Sequence, residues 1–202
     1  MKKHTKSNAE LALEHVRKFQ RFDRHEIVRE GPGIWFCADQ HTSMYHFRVI
    51  MVPGRIIVTG DIGDLVLHVN DRKPLRWALG CRMKPGETYY PLSKLSPDMG
   101  RKLFQPDSAE EWLVEQLTAS RNDGDKPQVQ KYIKMIREWR ECHFRDELDR
   151  AEQYWFELLD ENGEEPISFR EYEFGVFFRY EALCWFMQHV NPQDDRFREE
   201  LA

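Results

Sequence analysis

The sequence lacks the features that would place it in a membrane or assign it to a familiar class of enzyme. Its 202 residues contain no apolar run near the roughly 18 residues that a membrane span needs. There is no P-loop, no GxGxxG, no HExxH and no serine in a nucleophile-elbow pattern. These absences leave no reaction to name from motifs. They favour a non-enzymatic role without a membrane partner.

Cysteine is scarce, and its four positions are far apart. Cys37, Cys81, Cys142 and Cys184 form no CxxC or other metal-ligand spacing. The basic start MKKHTKSNAE is not followed by an apolar segment, so we expect no secretory signal. Reduced thiols, a cytoplasmic location, no cofactor and no metal are the resulting expectations.

The composition is that of a folded chain with unevenly distributed charge. Hydrophobic residues make up 41% and aromatic residues 13% of the sequence, and the net charge is −5. Residues 71–105 carry 8 Lys and Arg against 3 Asp and Glu, whereas residues 106–202 carry 12 against 24. This asymmetry indicates charged surfaces that select partners, although surface glutamates on helices explain the acidic half as well.

The stretch from Ser43 to Val69 predicts the centre of the fold. Two β-branched runs, 45–52 and 55–59, flank Pro53-Gly54, a pair suited to a type II turn. A two-residue loop would pair Val52 with Arg55, Ile50 with Ile57, Arg48 with Thr59 and His46 with Asp61. Type II turns splay the strands, so a slip by one residue, which would exchange the two faces, stays open.

One face of this meander is expected to carry polar side chains at one end, and the other face is expected to pack on the core. The expected core residues are Phe47, Val49, Met51, Ile56, Val58 and Leu67. The polar end gathers His46 and Asp61, with Asp64 and His68 near them. A His–Asp pair can act as an oriented general base, and two of each could bind a divalent metal. Aspartates that follow glycines in turns also cap backbone amides, which explains them without chemistry.

The whole pattern predicts an α+β fold. Ser7 or Asn8 would cap an N-terminal helix, and two short strands would precede the hairpin, giving an antiparallel β-meander of about five strands. From Pro106 the spacing becomes helical and predicts a C-terminal helical bundle. We expect domains at 1–105 and 106–202, or one continuous domain.

Within the helical half, residues 128–160 contain no Gly or Pro. They predict one long helix, or two helices with a bend near Arg145. His143 would lie on the apolar face as a hydrogen-bonded core histidine. Two residue pairs have the spacing of a capping box: Asp107 with Glu110, and Ser168 with Glu171.

The last predicted helix, residues 169–190, is apolar on nearly all sides. Such a helix must be covered over most of its surface. Either the fold covers it, or it forms a homodimer or partner interface. The interface candidates are Phe174, Phe178, Trp185 and Phe186.

The basic 71–105 segment interleaves its charges with Trp77, Tyr89 and Tyr90. Cations bind phosphate backbones and aromatic rings stack on bases, so the segment is a candidate nucleic-acid-binding region. An exposed loop segment with buried aromatics would show the same pattern. The candidate binding residues are Arg72, Lys73, Arg76, Arg82 and Lys84.

Four short motifs resemble a pattern in hypothetical proteins of tailed bacteriophages and prophages. They are Trp35-Phe36-Cys37, Tyr45-His46-Phe47, Pro53-Gly54-Arg55-Ile56-Ile57-Val58 and Gly60-Asp61-Ile62-Gly63. The resemblance covers about residues 34–68, one sixth of the chain, and brings no activity or catalytic residue with it. It implies a phage origin. Small phage accessory proteins often bind and disable host machinery, including CRISPR-Cas and other defence systems.

Three functional hypotheses result. The first is a phage or prophage accessory protein that binds a bacterial host protein and inhibits a defence system such as CRISPR-Cas. The second is a nucleic-acid-binding protein that uses the basic 71–105 segment. The third is an enzyme or metal site around His46 and Asp61.

Overall fold

Contacts in the computed structural model divide the chain into two compact units. The sheet unit contains Lys6–Arg101 and Tyr172–Ala202, and the helical unit contains Lys102–Glu171. This division differs from a boundary at residue 105, because the C-terminal helices pack with the sheet. The structure describes residues 6–19, 22–42, 44–81, 83, 89–99, 102–143, 147–191 and 193–201.

The helices and strands follow one another in the order that the α+β prediction expects, with an N-terminal helix, five strands and then mainly helices. In chain order they are α1 (Asn8–Phe19), β1 (His25–Gly31), β2 (Ile34–Asp39), β3 (Phe47–Val52), β4 (Arg55–Gly60), β5 (Leu65–His68), α2 (Pro74–Gly80), α3 (Tyr89–Leu92), β6 (Lys102–Phe104), α4 (Pro106–Asn122), α5 (Lys126–Arg140), α6 (Leu148–Glu161), β7 (Arg170–Tyr172), α7 (Phe174–Gln188) and α8 (Asp195–Leu201). A short 3-10 turn, Pro97–Met99, precedes β6. Among the described residues, no helix combines the length and apolar character that crossing a membrane requires.

The five strands of the sheet unit form an antiparallel meander in the order β1-β2-β3-β4-β5. The predicted register of the central hairpin is confirmed, since Val52 lies opposite Arg55 and the next pairs follow without a shift. Gly54 has φ of +84°, the left-handed conformation that the turn needs at this position. The register slipped by one residue is therefore excluded.

The predicted core face of the sheet is also confirmed. None of its six residues is more than 5% exposed: Phe47, Val49, Met51, Ile56, Val58 and Leu67. They form one hydrophobic cluster with buried residues of α2, α7 and α8. Burial of each large apolar side chain stabilises the fold by about 1.5–3 kcal/mol. A register that exposed these residues would lose that stabilisation and would therefore be less stable.

Helix α7 is buried within the sheet unit, so of the two alternatives the fold itself covers this helix. Phe178, Trp185 and Phe186 are 7%, 8% and 0% exposed. Their rings pack against those of Phe22, Phe47 and Trp35. These three candidates are therefore core residues, because the sheet and α1 together cover a helix that has no polar face. Phe174, at the start of α7, remains 36% exposed.

The N-terminal helix α1 begins with a capping box at Ser7. The hydroxyl oxygen of Ser7 accepts a hydrogen bond from the Glu10 amide at 3.2 Å, and the Ser7 amide donates to the Glu10 carboxylate at 2.9 Å. The reciprocal pair satisfies two of the amides that every helix start leaves without a partner. Of the two predicted caps, Ser7 is the one that the structure uses.

In the helical unit, α5 and α6 are separate helices, so the single long helix is excluded. Arg145, at the predicted bend, lies outside the described residues. His143 follows the end of α5 and is exposed, so its prediction as a core histidine is wrong. The chain leaves the helix at Arg140, and helical spacing no longer determines where His143 points.

Both predicted capping boxes are misplaced. Pro106 is the first residue of α4 and Gln105 is its cap, so Asp107 lies inside the first turn. Proline favours this first position because it fixes φ and needs no amide donor there. Ser168 precedes a strand, and its hydroxyl donates to the carboxylate of Glu152 on α6 at 2.9 Å.

The core of the helical unit is rich in tryptophan. Trp139 and Trp155 are both 0% exposed, and their ring centroids lie 5.3 Å apart in an edge-on arrangement. The indole N–H of Trp155 donates to the carbonyl oxygen of Ile167 at 2.7 Å. Glu152, 6% exposed, accepts hydrogen bonds from the guanidinium of Arg170. The last two contacts join the segment after α6 to α6 itself.

Candidate functional site

The turn after β4 positions the predicted polar residues, and close packing explains its glycines. Gly60 has φ of +139°, and a Cβ there would lie 2.6 Å from the carbonyl oxygen of His46. Gly63 has φ of +85°, and a Cβ there would lie 2.8 Å from Nε of Arg179. The same Nε–H donates to the carbonyl oxygen of Ile62 at 2.9 Å. The turn is therefore shaped by its own packing against an arginine of α7.

His46 and Asp61 form the contact that the hairpin register predicts. Nδ1 of His46 lies 2.8 Å from Oδ2 of Asp61, and the two side chains are 34% and 41% exposed. The Asp61 amide also donates to the carbonyl oxygen of His46 at 3.0 Å. A carboxylate at Nδ1 orients the imidazole, as it does for a general base.

The other two candidates lie in different surroundings. Oδ1 of Asp64 accepts a hydrogen bond from the hydroxyl of Thr59 at 2.5 Å. His68 lies opposite Arg55, the first residue of β4, whereas Asp61 follows the last residue of that strand. At about 3.3 Å per residue, the six steps from Arg55 to Asp61 separate them by roughly 20 Å. The structure therefore brings Asp64 to the polar end of the hairpin and leaves His68 at the opposite end.

The His46–Asp61 pair is poorly suited to metal binding or catalysis. Within the described part of the chain, no group of three or more His, Cys, Asp or Glu side chains could hold a metal ion. The pair offers two ligands, whereas catalytic zinc sites use three from the protein. Its exposure of a third or more gives little exclusion of water, which strong electrostatic catalysis requires. The contact is best explained as a structural one that stabilises the pairing of β3 and β4 at this end of the hairpin.

A second polar pair lies beside the first. The guanidinium of Arg48 donates two hydrogen bonds to the carboxylate of Glu30, at 2.8 and 3.1 Å. These hydrogen bonds hold the pKa of Glu30 below its usual range. The Arg48 guanidinium lies 4.8 Å from the centroid of the Phe36 ring, and the His46 ring lies 5.7 Å from it. Phe36 therefore joins the two polar pairs into one surface.

These pairs border an apolar strip on the side of the sheet opposite the core. Four β-branched side chains lie side by side across β2 to β5, and none of them is fully buried: Ile34, Ile50, Ile57 and Val66. We call the side that carries them the open face. At its margins Val28 and Val52 are 53% and 41% exposed. The buried residues of α2, α7 and α8 belong to the cluster on the other face.

The predicted nucleic-acid-binding residues lie around α2. Arg72, Lys73 and Arg76 are all exposed. Arg82 and Lys84 lie outside the described residues. Lys73 is the cap of α2, so the three described cations lie at the start of one short helix.

Two aromatic rings lie next to these cations. The rings of Trp77 and Tyr90 are 6.2 Å apart, and Tyr90 is 52% exposed. Nζ of Lys94 lies 5.3 Å from the centroid of the Tyr90 ring. Lys73 caps the start of α2, and Arg76 and Trp77 are consecutive residues of this helix, so both cations lie within about one helical turn of Trp77 along the chain. We call these five residues the basic–aromatic cluster.

Sequence reasoning missed the open face as an apolar surface. The predicted register puts Ile50 and Ile57 nearer the turn on the face whose other end is polar, and only the pairing of β2 and β5 adds Ile34 and Val66 to them. The available signal was the alternation within each strand, read across all four strands together. The contact of Lys94 with Tyr90 depends on the turn at Ser93, where the amide and hydroxyl both donate to the Tyr90 carbonyl oxygen.

No family model matches this chain, and no curated protein or solved structure matches it. The candidate sites therefore rest on the geometry of the chain itself. Two surfaces have the composition of binding sites: the open face and the basic–aromatic cluster.

Proposed function

We propose that this protein is a phage or prophage accessory protein that binds a bacterial host protein through the open face. The observation that carries the proposal is the row of four β-branched side chains that crosses four adjacent strands. A contiguous apolar surface that the fold leaves only partly covered is typical of interaction sites. The polar pairs at its edge complete the apolar centre and polar rim that protein interfaces have.

Charges at the margin of the open face indicate the chemistry of the partner. Asp64 and Glu26 accept hydrogen bonds from neutral donors, Thr59 and Gln40, so their negative charges are not neutralised by these contacts. A partner surface with an apolar centre and Lys or Arg around it would complement this arrangement. Such complementarity mainly raises the association rate and makes it sensitive to salt.

The resemblance of residues 34–68 to proteins of tailed phages supports a bacterial partner. The same stretch supplies most of the open face, including Phe36, Ile50, Ile57 and Val66. A complex of a bacterial defence system, such as CRISPR-Cas, is the target that this proposal favours. The protein would then act in the bacterial cytoplasm by occupying a surface that the complex needs.

Light scattering on the purified protein, alone and mixed with fractions of host lysate, tests the proposal. The wild type is expected to be a monomer that shifts into a larger complex with one fraction. Ile57→Asp places a charge at the centre of the open face and is expected to abolish the shift. Leu11→Asp is the matched control, because Leu11 is an apolar side chain of α1 that is 42% exposed.

Two results would contradict the proposal. One is a complex that forms equally well with Ile57→Asp and with the wild type, which would place binding elsewhere. The other is a stable dimer of the purified protein that Ile57→Asp converts to a monomer. That result would assign the open face to self-association.

A further inference from the structure

The basic–aromatic cluster (Lys73, Arg76, Trp77, Tyr90 and Lys94) belongs to the sheet unit and lies outside the row of residues that defines the open face. From its geometry we propose that it is a binding site for single-stranded nucleic acid. Bases stack on the exposed ring of Tyr90, and the neighbouring cations hold the phosphates. This inference does not depend on the host-protein partner.

Tyr90 supplies the stacking surface. Tyr90 is 52% exposed, so solvent reaches a large part of the residue. Trp77 lies 6.2 Å away with its ring tilted by 35°, so the two rings present neighbouring surfaces at one place. Nζ of Lys94, 5.3 Å from the Tyr90 centroid, brings a positive charge next to the ring. Every base has a flat π surface, so such a platform accepts bases without selecting a sequence.

The cations of the cluster are available for phosphates. Among the described residues, no carboxylate forms an ion pair with Arg72, Lys73, Arg76 or Lys94. The carboxylate of the nearby Asp71 accepts a hydrogen bond from the Lys73 amide at 2.8 Å and, among the described residues, forms no ion pair with these cations. Lys73 and Arg76 are both exposed and lie at the start of α2, the helix that carries Trp77.

The combination of rings and cations favours a single strand over other anionic ligands. A duplex keeps its bases stacked within the helix and would use only the cations. An acidic peptide would likewise pair with the cations and leave Tyr90 without a role. Only a strand with unstacked bases uses both parts of the cluster.

Fluorescence anisotropy with the full chain tests the site, using labelled dT20 and rU20 at several salt concentrations. Tyr90→Ala is expected to weaken binding about tenfold or more, and Tyr90→Phe to leave it nearly unchanged, because stacking needs the ring and not the hydroxyl. Lys73→Glu combined with Arg76→Glu is expected to weaken binding and to reduce the salt slope by about 0.7 for each lost phosphate contact. Arg17→Glu, a charge reversal on the exposed face of α1, is the matched control and is expected to have little effect.

The two probes distinguish the sources of the ligand. Equal affinity for dT20 and rU20 would support recognition of bases and phosphates alone, and preference for rU20 would support additional contacts to the 2′-hydroxyl. The proposal is overturned if the wild type binds neither probe, or if a 20-base-pair duplex binds as tightly and Tyr90→Ala has no effect. Equal competition by a poly-glutamate peptide, again independent of Tyr90, would instead assign the cations to acidic proteins. Circular dichroism of each variant shows whether the fold is retained.

Discussion

Replacement of Phe186 by alanine tests whether α7 is a core helix. Phe186 is 0% exposed, and its ring lies 5.3 Å from that of Trp35 and 5.9 Å from that of Phe197. Truncation would remove the contacts to both β2 and α8 and would leave a cavity that the surrounding rings can fill only partly. Substitutions of this type cost about 3–5 kcal/mol, a large fraction of the roughly 5–15 kcal/mol that holds a typical domain folded.

Urea unfolding followed by circular dichroism measures this loss, and Phe174→Ala is the control on the same helix. Phe174 is 36% exposed and its ring contacts those of His15 and Phe178, so its truncation is expected to cost about 1 kcal/mol or less. A loss below about 1 kcal/mol for Phe186→Ala, with an unchanged dependence on urea, would refute the burial of α7. Conversion of a dimer to a stable monomer would refute it as well, because α7 would then be an interface helix.

Three further predictions concern the turn, the helical unit and the thiols. Gly63→Ala is expected to lower the free energy of unfolding by about 1–3 kcal/mol, because its φ of +85° is strained for alanine and its Cβ would meet Arg179. Burial, with a hydrogen bond to a glutamate, raises the pKa of Tyr132 to about 12. The contribution of Tyr132 to the free energy of unfolding is therefore full below pH 10 and is lost as the pH rises towards 12. Urea unfolding at pH 9 and 11 should therefore show a smaller loss of stability for Tyr132→Phe than for the wild type. Ellman's reagent should react with the native protein only at its partly exposed cysteines, because Cys37 and Cys184 are buried and burial raises the pKa of the Cys37 thiol. Rapid reaction of four thiols without denaturant would contradict this.

The sheet could be predicted from the sequence because its determinants are local. Pro53-Gly54 sets the hairpin turn, and the alternation of apolar residues on either side sets the faces, so the pairing of Val52 with Arg55 followed directly. The contact between His46 and Asp61 was a consequence of that register. The expected α+β arrangement was confirmed for the same reason.

The remaining features depend on contacts between distant residues. Arg179 donates a hydrogen bond to the turn at Ile62, 117 positions earlier in the sequence, and no local sequence pattern predicts that contact. The apolar surface of α7 correctly indicated a helix covered on all sides, but the pattern could not say that the sheet of the same chain covers it. His143 shows why periodicity alone is not sufficient. Helix α5 ends at Arg140, so the helical spacing that would put His143 on the apolar face no longer applies to it.

The most direct test of the open face is an affinity comparison with the isolated host partner. The dissociation constants of the wild type, Ile57→Asp and Leu11→Asp would be measured side by side by biolayer interferometry, after circular dichroism has shown that all three are folded. Central interface residues contribute about 2 kcal/mol or more, so Ile57→Asp is expected to weaken binding by about 30-fold or more and Leu11→Asp by less than about twofold. Equal affinity of Ile57→Asp and the wild type would contradict the proposed role of the open face.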